Sequence, residues 1–443
     1  MRTIAHLARF RLFWLTLVLL LGGISLVACR APAPAGTPGV ATLPSTAAAY
    51  PINQSATPAP QGYPAATLGP NMTPPPINVP TLRPLSTYIV YIPLVSAPIS
   101  SPTPPPPATP LPPTPTLAWP DPLTGQTASK LGLHVVRNED PYVLEFVRRV
   151  HPRVIKGLDD VGWLAEVKAA SPGTVTVGRL NSAAANAQET WPDTTDPVAA
   201  AEAYVSTFLD VYQRNPNVDY WEGWNEFVPV TTARGKWYAQ FEATRACTMQ
   251  AHGLRAAVGG FAAGTLEYTE MEVFLPALEA AHRCGGLFTL HEVVMPIIGC
   301  GLGVNEPELI PGAPALSVPA GSIMLRYRFW YEGYLKPRGL GDLPLVVSEL
   351  AVGGIKPGSP CNGPGGAGWK GYRDWWVQQG VGPTGPQAYV NVLAWYDSEI
   401  RKDPYVIGAA IFTAGAISQE LGWTDSDVHD AIVPLAIYEA GQP

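Results

Sequence analysis

The chain has 443 residues and a formal net charge of −7, with 14% charged residues against 47% hydrophobic ones. That length suffices for one large domain with a well-buried core plus extended segments. No stripe of clustered Lys and Arg runs along it, so nucleic acid, whose binding requires phosphates to be neutralised, is not an expected partner.

At the start, Arg2, Arg9 and Arg11 precede an apolar run from Leu12 to Ala28 that closes on Leu26-Val27-Ala28-Cys29. A basic flank, an apolar stretch and a small residue before the cleavage point read as a signal peptide over 1–28. The arrangement resembles the bacterial lipoprotein signal, which implies lipidation of Cys29 and a membrane partner through that anchor. A run of this length could also be a single membrane span. Both readings put the rest of the chain outside the cytoplasm, and the first makes it a secreted, envelope-anchored protein.

Residues 29–120 form a linker rich in Pro, Ala, Thr and Ser that holds about half of the chain's 50 prolines. Such a segment cannot bury a core and stays extended. An apolar island at 88–95, Tyr88-Ile89-Val90-Tyr91-Ile92-Pro93-Leu94-Val95, interrupts it as a docking strand or a small module.

From 121 to 443, short apolar runs alternate with amphipathic helical stretches, the pattern of βα units around a parallel sheet. Eight strands are expected, at Leu131–Val136, Arg153–Gly157, Thr174–Leu180, Val218–Trp224, Arg255–Gly260, Leu287–Val293, Pro344–Glu349 and Val406–Phe412. The helix that carries Val198, Tyr204, Val205, Phe208, Leu209 and Tyr212 should start at Asp196 as N-cap, with Pro197 in the first turn, and end before Asn215-Pro216. A last helical stretch is expected near Asp427–Ala440. Eight units in this length fit a (β/α)8 TIM barrel, whose active sites lie at the C-terminal ends of the strands. A doubly wound open sheet would carry a Gly-rich phosphate turn after its first strand, whereas here Arg137-Asn138-Glu139-Asp140 follows. The longest loops, Val294–Ala320 and Leu350–Gly385, follow strands six and seven, and loops of that length are usually functional.

With Cys29 assigned to lipid, Cys247, Cys284, Cys300 and Cys361 remain, an even number in an oxidising compartment. We favour Cys300 with Cys361, both in long Gly/Pro-rich loops on one face, and Cys247 with Cys284. The alternative for the second pair is two buried thiols on helical segments.

Two segments end in carboxylates, Tyr220-Trp221-Glu222-Gly223-Trp224-Asn225-Glu226-Phe227 and Leu345-Val346-Val347-Ser348-Glu349. The first looks like the fourth-strand motif, and Pro344–Leu350 is similar to the seventh-strand motif, of the large clan of retaining (β/α)8 glycoside hydrolases that includes cellulases, mannanases and xylosidases. The resemblance covers the barrel and not the linker. It implies hydrolysis of O-glycosidic bonds in a poly- or oligosaccharide by double displacement, with Glu226 as general acid/base, Glu349 as nucleophile and Asn225 on the sugar 2-hydroxyl. The chemistry agrees, because one carboxyl must be protonated and the other ionised. Trp224 and Phe227 could surround Glu226 with apolar groups. On an ideal strand Glu222, Trp224 and Glu226 point to one side, toward the barrel interior; Glu222 there is expected to be a paired structural carboxylate.

His291 and Glu292 end the sixth strand, and His291 is either a substrate contact or a core histidine. A His-Glu-x-x-His metal site fails because Met295 holds the second histidine's position, and two carboxyl groups and water need no metal or cofactor. Many clan members place an arginine late on strand two; this chain has Lys156, with Arg179 on strand three as a further substrate contact. A tyrosine is often found near the end of strand six and a tryptophan near that of strand eight. Here His291-Glu292-Val293-Val294 and Phe412-Thr413-Ala414-Gly415 lack them, although Trp423 follows. Trp369, Tyr372, Trp375 and Trp376 lie after strand seven, and aromatic faces suit sugar rings. Trp224, Trp369, Trp376 and Trp423 are therefore candidate substrate contacts, while Trp375 and Trp376 could instead anchor a short helix. The competing function is a non-catalytic carbohydrate-binding surface lipoprotein that keeps the barrel without the chemistry.

Overall fold

Strands buried on both faces read as continuous apolar runs, and the amphipathic helices between them cover the outer face of the sheet they form. The computed structural model describes residues 117–300, 310–354, 360–417 and 422–442. The signal sequence, Cys29, the apolar island and the linker up to residue 116 lie outside the described residues. The strands are β1 (Leu131–Val135), β2 (Val154–Leu158), β3 (Val175–Arg179), β4 (Tyr220–Glu222), β5 (Ala256–Phe261), β6 (Leu287–Val294), β7 (Leu345–Val352) and β8 (Val406–Ala414). They close in chain order into a barrel with neighbouring strands parallel. This is the eight-unit barrel expected from the alternating pattern.

Local chemistry sets the helix ends. Asp196 accepts the Ala199 N–H at 2.9 Å and Pro197 opens the helix Pro197–Arg214, which stops before Asn215, as the capping residues require. The last helix is shorter than expected: a tight turn at His429–Ala431 leads into Ile432–Ala440. Closure does not depend on it, because β8 pairs with β1 from Leu131↔Ala409 to Val135↔Ala414. Both favoured cysteine pairs are disulfides. Cys247–Cys284 ties the helix Thr232–Ala251 to the end of Tyr268–Arg283, and Cys300–Cys361 ties the loop after β6 to the loop after β7.

The bore is layered. Val154, Val177, Ala257, Leu287, Val346 and Ala410 form an apolar cluster with Tyr220 packed against it. Residues two apart on a strand share a face, so the next layer toward the C-terminal ends carries Lys156 on β2, Arg179 on β3 and Glu222 on β4. Within one layer the interior changes from hydrocarbon to ionic. Filling by stacked layers of side chains is general to this fold; here a charged layer lies directly above the apolar one.

Two departures from ideal strands shape that end of the bore. Strand β4 is only three residues long and ends at Glu222, not at Trp224, so the parity argument for Glu222, Trp224 and Glu226 fails beyond Glu222. Strand β7 is irregular: His291 pairs with Glu349 where Leu290 pairs with Val347, and on the other side the register shifts between Val347 and Leu350. An extra residue in a strand re-aims the side chains around it. Here Ser348 takes up the slack and Glu349 turns to the bore.

Candidate active site

Glu349 is the hub of the charged layer. Its Oε1 meets Arg179 Nη1 at 2.7 Å and Lys156 Nζ at 3.1 Å, with His134 Nδ1 at 3.6 Å and His291 Nε2 at 3.7 Å. All of these contacts fall on one oxygen. The side chain keeps 14% of its surface exposed. Burial by itself would raise its pKa, but His291, Lys156 and Arg179 hold it well below the usual carboxylate value, so Glu349 is ionised at neutral pH.

Glu222 lies deeper and is the second anion. Its Oε2 is 2.7 Å from Lys156 Nζ and 3.7 Å from Arg179 Nη1. Burial opposes its charge, yet Lys156, Arg179 and His291 lower its pKa to about 2. Glu222 is thus the paired structural carboxylate the sequence suggests. Its partner Lys156 is fully buried and bridges both carboxylates. His134 on β1, in register with Lys156, is buried and packs tilted against Phe412 at 5.3 Å. Burial first, then the Lys156 and Arg179 charges, hold its pKa well below the usual histidine value, so its ring is neutral. Among the described residues neither of its nitrogens has a hydrogen-bond partner.

Glu226 reaches the same place from a loop. Its backbone is in the left-handed region, with φ of 51°, an uncommon conformation for a residue with a side chain. Its N–H donates to the Gly260 carbonyl at 2.8 Å. Gly260 must be glycine for this, since a Cβ there would come within 2.9 Å of the Trp224 carbonyl and φ is 60°. The carboxylate lies 2.9 Å from His291 Nδ1, and its side chain is 45% exposed. The Glu226 carboxyl thus contacts an imidazole and keeps much of its surface exposed, while Trp224 and Phe227 pack against each other and Tyr238. His291 stands between the two glutamates, Nδ1 toward Glu226 and Nε2 toward Glu349.

Three candidate substrate contacts are core residues instead. Trp224 is 1% exposed and stacks on Phe241 at 4.5 Å, on Tyr238 at 5.5 Å and on Trp237 at 5.9 Å. It fastens the loop after β4 to the helix Thr232–Ala251. Trp369 and Trp376 are also buried, with indole N–H groups donating to the carbonyls of Asp427 and Pro296. A large ring with a polar tip buries well when that tip finds a partner. These two brace the loop after β7 against its neighbours and cannot offer a face to a sugar. Trp375, by contrast, is only partly buried. Arg179 is committed to Glu349 and Glu222 rather than free for a ligand.

Other candidates remain at the rim. Trp423 is partly buried, edge-on to Phe412 at 5.1 Å, which in turn packs against His134. Asn225 is half-buried; its N–H donates to Glu189 Oε1 at 3.3 Å, and its buried Oδ1 has no partner among the described residues. Glu292, beside His291, points away from the bore. It accepts the N–H groups of Leu325 and Arg326 and the Tyr396 hydroxyl at 2.7, 2.8 and 2.5 Å. Sequence reading missed Glu189 and His134, which carry no motif; only the alternation of β1 hints that His134 faces inward.

No protein-family model and no curated protein matches the sequence. Solved structures with a similar chain path are glycoside hydrolases. A glucosidase from Croceicoccus marinus is 12% identical, with a TM-score of 0.40 over 71% of this chain and 67% of that one. An endo-1,4-beta-D-mannanase from Thermotoga petrophila is 13% identical, with a TM-score of 0.39 over 70% of this chain and 99% of that one. A broad-specificity endoglucanase from Clostridium longisporum is 10% identical, with a TM-score of 0.39 over 71% and 100%. Likeness at this level carries no argument about the activity of this chain, whose barrel rests on its own strand pairing.

Proposed function

We propose that this protein is a retaining glycoside hydrolase acting on a poly- or oligosaccharide, with Glu226 as acid/base and Glu349 as nucleophile. The observation that supports it most is that one imidazole touches both carboxylates, His291 Nδ1 on Glu226 and Nε2 on Glu349. Two contacts and one ring bring the two carboxyl groups to one site, as cleavage by a carboxyl pair requires; retention calls for a separation of about 5 to 5.5 Å and inversion for roughly 6.5 to 9.5 Å.

The division of roles follows from the surroundings. Glu349 is ionised and its Oε1 is occupied by Arg179 and Lys156, so Oε2 is the oxygen that attacks the anomeric carbon. Glu226, at the exposed rim, gives its proton to the leaving oxygen as the glycosidic C–O bond breaks. When protonated it donates to His291 Nδ1, which puts the ring proton on Nε2, facing Glu349. A glycosyl ester on Glu349 results; Glu226 then takes a proton from water, whose oxygen displaces the ester. The unpartnered Asn225 Oδ1 is an acceptor for a sugar hydroxyl, and Trp423 offers a ring for stacking. Export by the 1–28 signal and anchoring through Cys29 would place this activity on the cell envelope.

The test is sugar release from a panel of polysaccharides and aryl glycosides by the full chain and by Glu349→Ala and Glu226→Gln. Release by the wild type, abolished in the first variant and reduced by about 10² to 10⁴ in the second, is expected. Release that survives Glu349→Ala, or tight glycan binding by a wild type that cleaves nothing, overturns the proposal.

A further inference from the structure

The charged layer holds a residue that the cleavage scheme does not use. Glu222 sits behind the nucleophile, buried, and its two oxygens have no hydrogen-bond partner among the described residues beyond the ion pairs with Lys156 and Arg179. Lys156 Nζ is nearer to Glu222, at 2.7 Å, than to Glu349, at 3.1 Å. Arg179 leans the other way, at 2.7 Å from Glu349 and 3.7 Å from Glu222.

We propose that Glu222 is a positioning residue for Glu349: it draws the Lys156 ammonium back from the nucleophile and leaves Arg179 as the main partner of the attacking carboxylate. This inference rests on the reading of Glu349 as nucleophile and adds to it a residue that tunes its reactivity.

The groups facing Glu349 are His134 from β1, Lys156 from β2, Arg179 from β3, Glu222 from β4, His291 from β6, and Glu226 across His291. Beside the two imidazoles, the cations Lys156 and Arg179 stand against the two buried anions Glu222 and Glu349. Neutralising Glu222 leaves both cations to Glu349 alone. Attack converts the carboxylate into an ester and discards that attraction, so a cation that binds the resting anion more strongly raises the barrier. A merely structural Glu222 would affect stability and leave this balance untouched.

The test is a double-mutant cycle of Glu222→Gln and Lys156→Gln, read on the full chain by the rate at which glycidol, a small epoxide, esterifies Glu349, followed by peptide mass spectrometry. In that reaction Oε2 opens the epoxide, a C–O bond forms, and the ring oxygen takes a proton from water. Glu222→Gln should slow labelling roughly ten-fold, equivalent to about one pKa unit of added stabilisation of the carboxylate. Lys156→Gln added to it removes the surplus cation and should restore most of the rate, a coupling opposite in sign to two additive losses. On any glycoside the wild type cleaves, kcat should follow the same order with KM nearly unchanged. Should Glu222→Gln not fold, Glu222→Asp, which withdraws the carboxylate by one methylene, should slow labelling in the same direction by less.

Labelling of the folded variants at the wild-type rate, or no recovery in the double variant, overturns the inference. The epoxide readout needs no sugar. A wild type that labels in the expected order but cleaves no glycoside defeats the hydrolase reading alone, and one that cleaves glycosides with labelling indifferent to Glu222 defeats this inference alone.

Discussion

Lys156→Met is the substitution that should disturb the barrel most per atom removed. The ammonium is fully buried between carboxylates at 2.7 and 3.1 Å. Coulomb attraction at these separations is about 5 to 6 kcal/mol per pair at an effective dielectric of roughly 20, most of it offset by desolvation. Removing one partner of a buried ion pair leaves the other uncompensated and costs about 3 to 5 kcal/mol. With an m-value of roughly 3 kcal/mol/M for a domain of this size, the urea midpoint should fall by about 1 to 1.7 M at pH 7. The dependence on pH is equally specific. Glu222 and Glu349 have depressed pKa values, so their contribution is present above the unfolded carboxylate value and lost as pH falls, through about 2 for Glu222. In the variant both pKa values rise, the carboxylates take up protons first, and the stability gap to wild type narrows below about pH 4.5. The assay is urea unfolding followed by fluorescence at pH 7 and pH 4. A midpoint within about 0.3 M of wild type at pH 7, or a gap that widens on acidification, would refute the bridging role of Lys156.

Other substitutions probe the surrounding structure. His291→Ala removes the hydrogen-bond partner of the Glu226 carboxyl in the bore and should lower kcat/KM by roughly 10²-fold through misplacement, with a melting temperature close to wild type; unchanged kinetics on a cleaved glycoside would show that the ring does not position the acid. Glu292, whose pKa burial pushes up to about 7 against the donors Tyr396, Leu325, Arg326 and Tyr327, binds a proton more tightly folded than unfolded. Stability should therefore fall by about 3 kcal/mol as pH rises from 4.5 to 7, and Glu292→Gln should flatten that slope in unfolding curves. The Cys300→Ser/Cys361→Ser pair opens a loop of 61 residues and should cost about 2 to 4 kcal/mol by chemical denaturation, with no loss expected if the bridge does not form.

How far the sequence reaches depends on which physical signal each residue carries. Strand runs, the Asp196-Pro197 helix start and the even cysteine count are local or combinatorial, and each has its counterpart in the structure. The tryptophans misled because a ring that binds a sugar and a ring that anchors a loop have the same composition and neighbours. Trp224, Trp369 and Trp376 differ from rim aromatics only in the helix or carbonyl they meet. The irregularity at Ser348 leaves no mark in Leu345–Glu349, since strict alternation fits the same letters, yet it is what turns Glu349 inward. Lys156 and Arg179 lie in short apolar strands where a charge signals a buried partner without saying which, and the alternation that turns His134 inward does not say what it meets until β1 closes on β8. Register and closure are long-range, and the ionic layer is their product.

The most direct test of the account is to trap the intermediate. The protein is incubated with a panel of 2-deoxy-2-fluoro glycosyl fluorides, in which the C2 fluorine slows ester breakdown, and is then digested and read by mass spectrometry. A glycosyl adduct on the peptide carrying Glu349, absent in Glu349→Ala, is the predicted result. Turnover of a glycoside without any adduct, or an adduct on a residue other than Glu349, would contradict it.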